Sequence, residues 1–262
     1  MNKKIALVLI PLLITSTMLL SIQWASAAPE ILKIGIISPY KLPHGEFSFG
    51  GTPAGAELAA LDINNTGGIN VGGVQYFIKL VYRDEHCYPT IDPDGARTSV
   101  QELIAEGCRI IVGGFRTECT TAIIDEVLTW NTEHPGDEVI LLINGASTDD
   151  LCVNWTASGN EAYRFIFRVN PVNGTMLFSA ILGYLQGYLI PYKLAPMYGA
   201  GPNPGDPKVK YAVIAEDLTW TIDLCNYLQY IGLGNLTQWV ATYRTPAGTT
   251  AVSYTHLTLP TN

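Results

Sequence analysis

The feature that constrains the fold most is an alternation. Short, continuous apolar runs are each followed by a stretch whose apolar residues return at helical spacing. The runs are Ile34-Gly35-Ile36-Ile37, Ile110-Ile111-Val112, residues 139–143 and Ala212-Val213-Ile214. None alternates cleanly with polar residues, which is the pattern of strands covered on both faces. Between them Ala96, Val100, Leu103 and Ile104 recur at helical spacing and stop at Gly107, a residue suited to a left-handed helix cap. Ala54, Leu58 and Leu61 do the same before Gly67-Gly68, and Ile123, Ile124, Val127 and Leu128 make a further stripe expected to be buried. Strand then helix, repeated, predicts an α/β fold with parallel sheets flanked by helices.

The 262 residues are enough for two such units. The pattern loosens over 148–160, then returns at 163–169, in a helix over 176–189 and in a turn-rich stretch at 199–207. The expected organisation is an N-terminal α/β lobe at 28–150, an inter-lobe crossing at 151–170 and a partial second α/β lobe at 171–252. That second lobe has strands expected at 210–215 and 237–243 with a helix at 219–231 between them. One helix pair and two strands cannot cover a parallel sheet on both sides, so this lobe reads as incomplete. Residues 253–262 carry neither a helical stripe nor a strand run. They are expected to be a non-native tail on a truncated reading frame, the alternative being a natural strand ending at Pro260.

Residues 1–27 read as an export signal. Lys3 and Lys4 form the basic end, an apolar run extends from Ile5 to Ile22, and Ala25-Ser26-Ala27 is a small-residue cleavage site. The run is just long enough for an anchor helix, but the small-x-small pattern favours removal, which places the mature chain beyond the cytoplasmic membrane. The formal charge is -8 with scattered basic residues, the wrong sign and pattern for gripping a phosphate backbone, so nucleic acid is excluded as an expected partner. The 5 cysteines, Cys87, Cys108, Cys119, Cys152 and Cys225, fit disulfide chemistry in an exported chain. They lack CxxC spacing and a His cluster, so no metal is expected. Asn-x-Ser/Thr sequons start at Asn64, Asn154, Asn173 and Asn235.

Several segments together resemble the type 1 periplasmic binding proteins of ABC transporters, in particular the branched-chain amino acid group. Leu32-Lys33-Ile34-Gly35-Ile36-Ile37-Ser38-Pro39 is similar to the family's first strand. Gly55-Ala56-Glu57-Leu58-Ala59-Ala60-Leu61-Asp62-Ile63-Asn64 with Gly67-Gly68-Ile69 resembles its first helix and Gly-Gly-Ile turn. Arg83-Asp84 with Cys87 and Pro89, Ile111-Val112-Gly113-Gly114, and Ile143-Asn144-Gly145-Ala146-Ser147-Thr148 follow in family order. The resemblance covers roughly residues 32–249. It implies two α/β lobes closing over a small solute bound in the cleft, a chain that normally continues further, a monomer, and membrane subunits of an ABC importer as partners.

In an open parallel sheet, ligands gather at the carboxyl ends of the strands. Gly113-Gly114 ends a strand there, and Thr117 is expected to N-cap the next helix, aiming free amides and the positive end of its dipole at a ligand carboxylate. The resemblance puts Thr117 at a carboxylate-binding hydroxyl position, a role that coexists with capping. It puts Ala146 and Thr148 at positions that offer a carbonyl and a hydroxyl to a ligand ammonium and carboxylate, although Thr148 also reads as a turn residue satisfying its own loop. Trp220 matches an aromatic that closes on the solute from the second lobe, with a core Trp as the competing reading. Phe47 or Phe49 takes a similar place on the first lobe. Glu118 departs from the family pattern of small hydroxyl residues, and its carboxylate would repel a bound carboxylate unless Arg116 intervenes. Amide, urea and other neutral solutes therefore stay beside amino acids as candidates. The resemblance also implies a disulfide between Cys87 and Cys119, with Cys108 as the rival partner.

The sequence does not read as an enzyme. It has no Gly-x-Ser-x-Gly elbow and no metal-binding His pair, and His44, His86, His134 and His256 are scattered. Asp149-Asp150 is a carboxylate pair by sequence but more often a solvated turn. No cofactor is expected. A ligand-binding ectodomain of a sensor is the alternative use of the same fold.

Overall fold

A computed structural model describes residues 28–39, 51–149, 151, 161–170 and 173–246. Residues 1–27, Phe47, Phe49, Asp150, Cys152 and residues 253–262 lie outside these segments. Strand β1 (Glu30–Ser38) runs up the middle of a six-stranded sheet in the order β2-β3-β1-β4-β5-β6. It pairs in parallel with β3 (Val74–Asp84) and β4 (Ile110–Gly113), and β5 (Ile140–Ile143) and β6 (Ile166–Arg168) add on in parallel beyond β4. Only β2 (Ile69–Val71) is antiparallel, joined to β3 by a tight turn at Gly72-Gly73 with both φ positive. The hairpin is absent from the sequence reading because Gln75, Lys79 and Arg83 interrupt the apolar run of β3. Strand β6 falls in the segment read as a crossing, yet it completes the edge of this first sheet.

Helix α1 (Gly51–Asn65) covers one face of the sheet, while α2 (Pro93–Ala105) and α3 (Thr117–Glu133) cover the other. The α2 start is specified locally: the Asp92 side chain accepts from Gly95 N at 3.0 Å and Pro93 stands at the first position. Its end is the expected Gly107, whose positive φ of 87° lets Cys108 N donate back to Leu103 O at 3.0 Å. Alternate strand residues point to opposite faces, and here the two faces differ. Ile37, Ile111, Leu141 and Ile143 are buried with Val100, Leu103, Ile123 and Val127 under α2 and α3. Ile34, Ile36, Ile78 and Val112 instead line a cavity of about 490 Å³ beneath α1. Full burial, as the continuous runs implied for both faces, holds throughout the α2/α3 side, whereas on the α1 side Ile36 is buried and Ile34, Ile78 and Val112 are half-buried. The reason lies in α1, where the expected stripe is turned outward: Leu58 and Leu61 are 69% and 58% exposed, and Ala60 is the buried residue. What fixes α1 is polar. Asn64 donates to Ile78 O at 2.9 Å and accepts from Ile78 N at 2.8 Å, acting as a further strand residue beside β3.

The second unit pairs β7 (Val209–Glu216) with β8 (Thr237–Thr245) in parallel. Helix α4 (Gly174–Tyr184) continues in π form over Leu185–Leu194 into the short α5 (Ala195–Tyr198), which stops at Gly199 with φ 62°. Asn173 caps α4 by accepting from Met176 N at 2.8 Å. Helix α6 (Thr219–Asn226) runs on in π form over Tyr227–Ile231. The core here is Ile190, Val213, Cys225, Leu228 and Leu233, beside an apolar cavity of about 550 Å³ lined by Leu185, Val213, Leu224 and Leu228 among others. Among the described residues no helix is long and apolar enough to cross a membrane.

Candidate functional site

The carboxyl ends of β1, β4 and β5 lie side by side, and the loops leaving them meet the start of α6. The β4–α3 loop begins at Gly113 and Gly114, both with positive φ, where a Cβ on Gly113 would overlap Ile37 O and one on Gly114 would sit 2.9 Å from Thr120 Cγ2. Glycine is what lets this loop turn so close to β1 and α3. The loop is then held from beneath by Glu85, which follows β3 and is fully buried. Both Glu85 carboxyl oxygens accept from Phe115 N at 2.8 Å, and Oε1 also accepts from Arg116 N at 3.3 Å. Burial pushes this carboxyl up to about 8, against the pull of the Phe115 and Arg116 amides.

Arg116 is the N-cap residue of α3, and Thr117, expected as the cap, is the first helical residue instead. No side chain caps this helix. The Arg116 side chain is only 6% exposed; its guanidinium lies over the Tyr88 ring at 5.5 Å, and Nη2 donates to Glu216 Oε1, at the end of β7, at 2.8 Å. Thr117 Oγ1 and Thr148 Oγ1 are 2.6 Å apart, and the Thr148 carbonyl accepts from Arg168 Nη2 at 2.5 Å. Two of the expected site residues, from the ends of two neighbouring strands, therefore share one hydrogen bond. Trp220, 38% exposed at the start of α6, completes the group from the second unit. A cavity of about 390 Å³ lies between Arg116, Thr117, Ser147 and Asn170 on one side and Glu216 and Trp220 on the other. An adjoining one of about 350 Å³ runs past Trp220 to Thr148, Asp149 and Asp223.

Other expected residues are placed differently. Glu118 faces the second unit, where Oε1 accepts from Thr219 N at 2.8 Å and Thr219 Oγ1 at 2.6 Å. It thus caps α6, whose own N-cap residue, Leu218, has no acceptor side chain. Ala146 is buried, with its amide donating to Gly114 O at 2.9 Å, and lines neither cavity. The expected bridge between Cys87 and Cys119 is not made: both are buried free thiols. Cys119 Sγ faces His86 O at 3.7 Å, and Cys87 bonds to the Glu85 carboxyl. Burial above all pushes the Cys119 thiol up to about 12 and raises the Cys87 thiol as well, which leaves both without thiolate character. Phe49 and Phe47 lie outside the described residues. Sequence reasoning passed over Ser147, Asn170 and Glu216, and treated Arg116 only as a screen for Glu118. The signal for Glu216 was its position at the end of a strand run. Among the described residues no group of His, Cys, Asp and Glu side chains is arranged to hold a metal ion.

No protein-family profile matches the chain. Over 158 residues it is 30% identical to the Leu/Ile/Val-binding protein homolog 4 of Brucella abortus (strain 2308), a match over 60% of this chain and 34% of that protein. The same figures hold for the Brucella suis protein of that name. Among solved structures, the leucine-, isoleucine-, valine-, threonine- and alanine-binding protein of Brucella ovis superposes with a TM-score of 0.53 at 21% identity, over 84% of this chain and 48% of its own. A solute-binding protein of an ABC transporter from Rhodopseudomonas palustris BisB5, in complex with 3,4-dihydroxybenzoic acid, gives 0.53 at 17% identity, over 82% of this chain and 47% of its own. The chain thus spans about a third of the length of the curated relatives it matches and about half that of the solved ones. It has the type 1 periplasmic-binding fold, and in sequence it is similar to the Leu/Ile/Val-binding protein homologs of Brucella.

Proposed function

We propose that the protein is an extracytoplasmic solute-binding protein that captures a small polar solute and delivers it to the membrane subunits of an ABC importer, with no catalysis of its own. The observation that carries this reading is the meeting of Thr117, Thr148 and Trp220. Two hydroxyls from the strand tips of one unit and an indole from the other border adjoining cavities, polar on one wall and aromatic on the opposite one. Arg116 stands at one end of this hollow, and Asp149 with Asp223 at the other. A solute with groups of both signs, such as an amino acid, matches that polarity. The names of the Brucella relatives support amino acids, and the ligand of the Rhodopseudomonas protein brings in aromatic acids. The basic and apolar leader at 1–27 supports a site of action beyond the cytoplasmic membrane.

The test is a thermal-shift screen with amino acids, amides, urea and hydroxybenzoates. A solute at a hundred times its Kd stabilises the folded state by about 2.7 kcal/mol, several degrees in Tm for a domain of this size. Thr117→Ala and Trp220→Ala are each expected to abolish the shift. Unaltered affinity in both variants, or no shift with any of these classes, rejects the reading.

A further inference from the structure

We propose that Glu85 is a positioning residue of the solute site: without touching the solute, its carboxylate holds the β4–α3 loop in the shape that binds. This rests on the solute-binding reading above and deepens it by naming the group that sets affinity from beneath the cleft. Glu85 is fully buried, and its own amide donates to Ser38 O, at the end of β1, at 3.2 Å. Its Oε1 and Oε2 each accept from Phe115 N at 2.8 Å, and Oε1 also accepts from Arg116 N at 3.3 Å. Phe115 and Arg116 precede the first turn of α3, so these amides find no acceptor in its ladder. Both residues, and Thr117 after them, line the cavity that Trp220 borders from the other side. A carboxyl group is costly to bury, and a Leu or Met would fill the space without that cost. What an apolar side chain cannot do is accept from two consecutive amides of a loop whose start, at Gly113 and Gly114, permits other shapes.

The hold reaches the cleft in short steps. Arg116, fixed at its amide, lays its guanidinium over Tyr88 and donates through Nη2 to Glu216 of the second unit, and Thr117 has its hydroxyl 2.6 Å from that of Thr148. A shift of this loop by about 0.5 Å is enough to spoil the geometry of the polar wall. The groups that face Glu85 are Asp84 beside it, the Cys87 thiol that donates to it, and Arg116 and Cys119 from the start of α3, while β1 contributes the Ser38 carbonyl. Burial keeps the two thiols protonated, so they do not share the titration of the carboxyl. A proton on Oε2 removes one contact with Phe115 N and turns the remaining bonds from charge-assisted to neutral, about half as strong. Ionisation as pH rises to about 8 therefore tightens the loop, although desolvation makes it costly to the fold as a whole. Solute affinity and folding stability thus move in opposite directions over the same pH range.

The experiment is calorimetric titration of the protein with leucine, leucinamide, urea and 4-hydroxybenzoate at about pH 6 and about pH 8.5, beside urea unfolding at both. The wild-type chain is expected to bind its best compound about threefold to tenfold more tightly at the higher pH while losing stability. Glu85→Gln sets an N–H₂ donor against a loop amide and is expected to bind about tenfold more weakly at both, with no such pH dependence. Ionisation of the compound itself affects both proteins alike, so the difference between their profiles reports Glu85. Glu85→Asp keeps a carboxylate on a shorter stem and is expected to recover part of the affinity and of its pH dependence. Leu103→Ala, a loss of packing elsewhere in the same core, is expected to lower stability and leave affinity in place. If Glu85→Gln does not fold, as judged by circular dichroism, the wild-type and Glu85→Asp profiles decide. Affinity that follows stability downward as pH rises, or variant profiles superimposable on the wild type, overturns the positioning role while leaving solute binding in place. No binding by any of the compounds in the folded protein overturns both.

Discussion

The six-stranded unit and the two-stranded unit bury their apolar residues to different degrees. In the first, 19 of the described residues form one buried cluster that spans both α2 and α3 and five of the strands. In the second the buried cluster holds 5, and Ile214, Tyr230 and Ile231 are exposed at 52%, 75% and 70%. The site is divided accordingly. Its polar wall, Arg116, Thr117 and Thr148, stands on the well-packed unit, and its aromatic wall, Trp220, on the loosely packed one. Rigid placement is thus supplied on the side where hydrogen-bond geometry matters, and adaptable placement on the side where an indole only has to cover a solute.

Equal truncations in the two units test that contrast. Leu103 is fully buried between α2 and β1, close enough that a Cβ on Gly35 would lie 3.0 Å from its Cδ1. Leu103→Ala is expected to cost about 3–5 kcal/mol in urea unfolding, whereas Leu228→Ala, at a site already bordering a cavity, costs about 1–2 kcal/mol. Similar losses would erase the distinction.

A second expectation concerns pH and belongs to the first unit alone. The Glu85 carboxyl lies near 4.5 when exposed and is raised to about 8 in the fold. The folded state therefore holds a proton that the unfolded chain releases, and the stabilisation is complete below about 4.5 and lost as pH rises to about 8. Stability should fall by roughly 5 kcal/mol across that window, and Glu85→Gln should flatten the profile. A wild-type profile already flat between these limits would contradict the placement of Glu85.

The smallest effect expected lies at the contact between the units. Glu118→Ala removes the carboxylate that caps α6 across the interface and is expected to cost about 1 kcal/mol. Hydrogen exchange should report it as faster exchange of the α6 amides with no change in α2. Uniform acceleration in both helices would mean that the two units unfold together.

Much of this architecture is legible in the sequence where local and tertiary demands agree. Continuous apolar runs mark β1, β4 and β5, and Asp92, Pro93 and Gly107 mark both ends of α2. Strand β3 is hidden because Tyr82 and Arg83 face polar partners, Glu57 and Glu102 among them, so its pattern is neither continuous nor alternating. The α1 stripe misleads for a related reason: Leu58 and Leu61 have helical spacing, yet a hydrogen-bonded Asn64 sets which side meets the sheet. At the site, Thr117, Thr148 and Trp220 were legible through strand ends and resemblance. Glu118 was read as a neighbour of the solute because its partner, Thr219, is 101 residues away. Arg116 shows its buried, unpaired nitrogen only when Tyr88, Glu85 and Glu216 are seen around it.

The central claim is that Thr117, Thr148 and Trp220 enclose one receptacle for a solute. A crystal structure of the protein grown with leucine or 4-hydroxybenzoate tests it most directly. The account predicts solute density within hydrogen-bond reach of Thr117 or Thr148 and in contact with the Trp220 ring. A solute seated in either of the apolar cavities, beneath α1 or beside β7, with these three residues untouched, would contradict it.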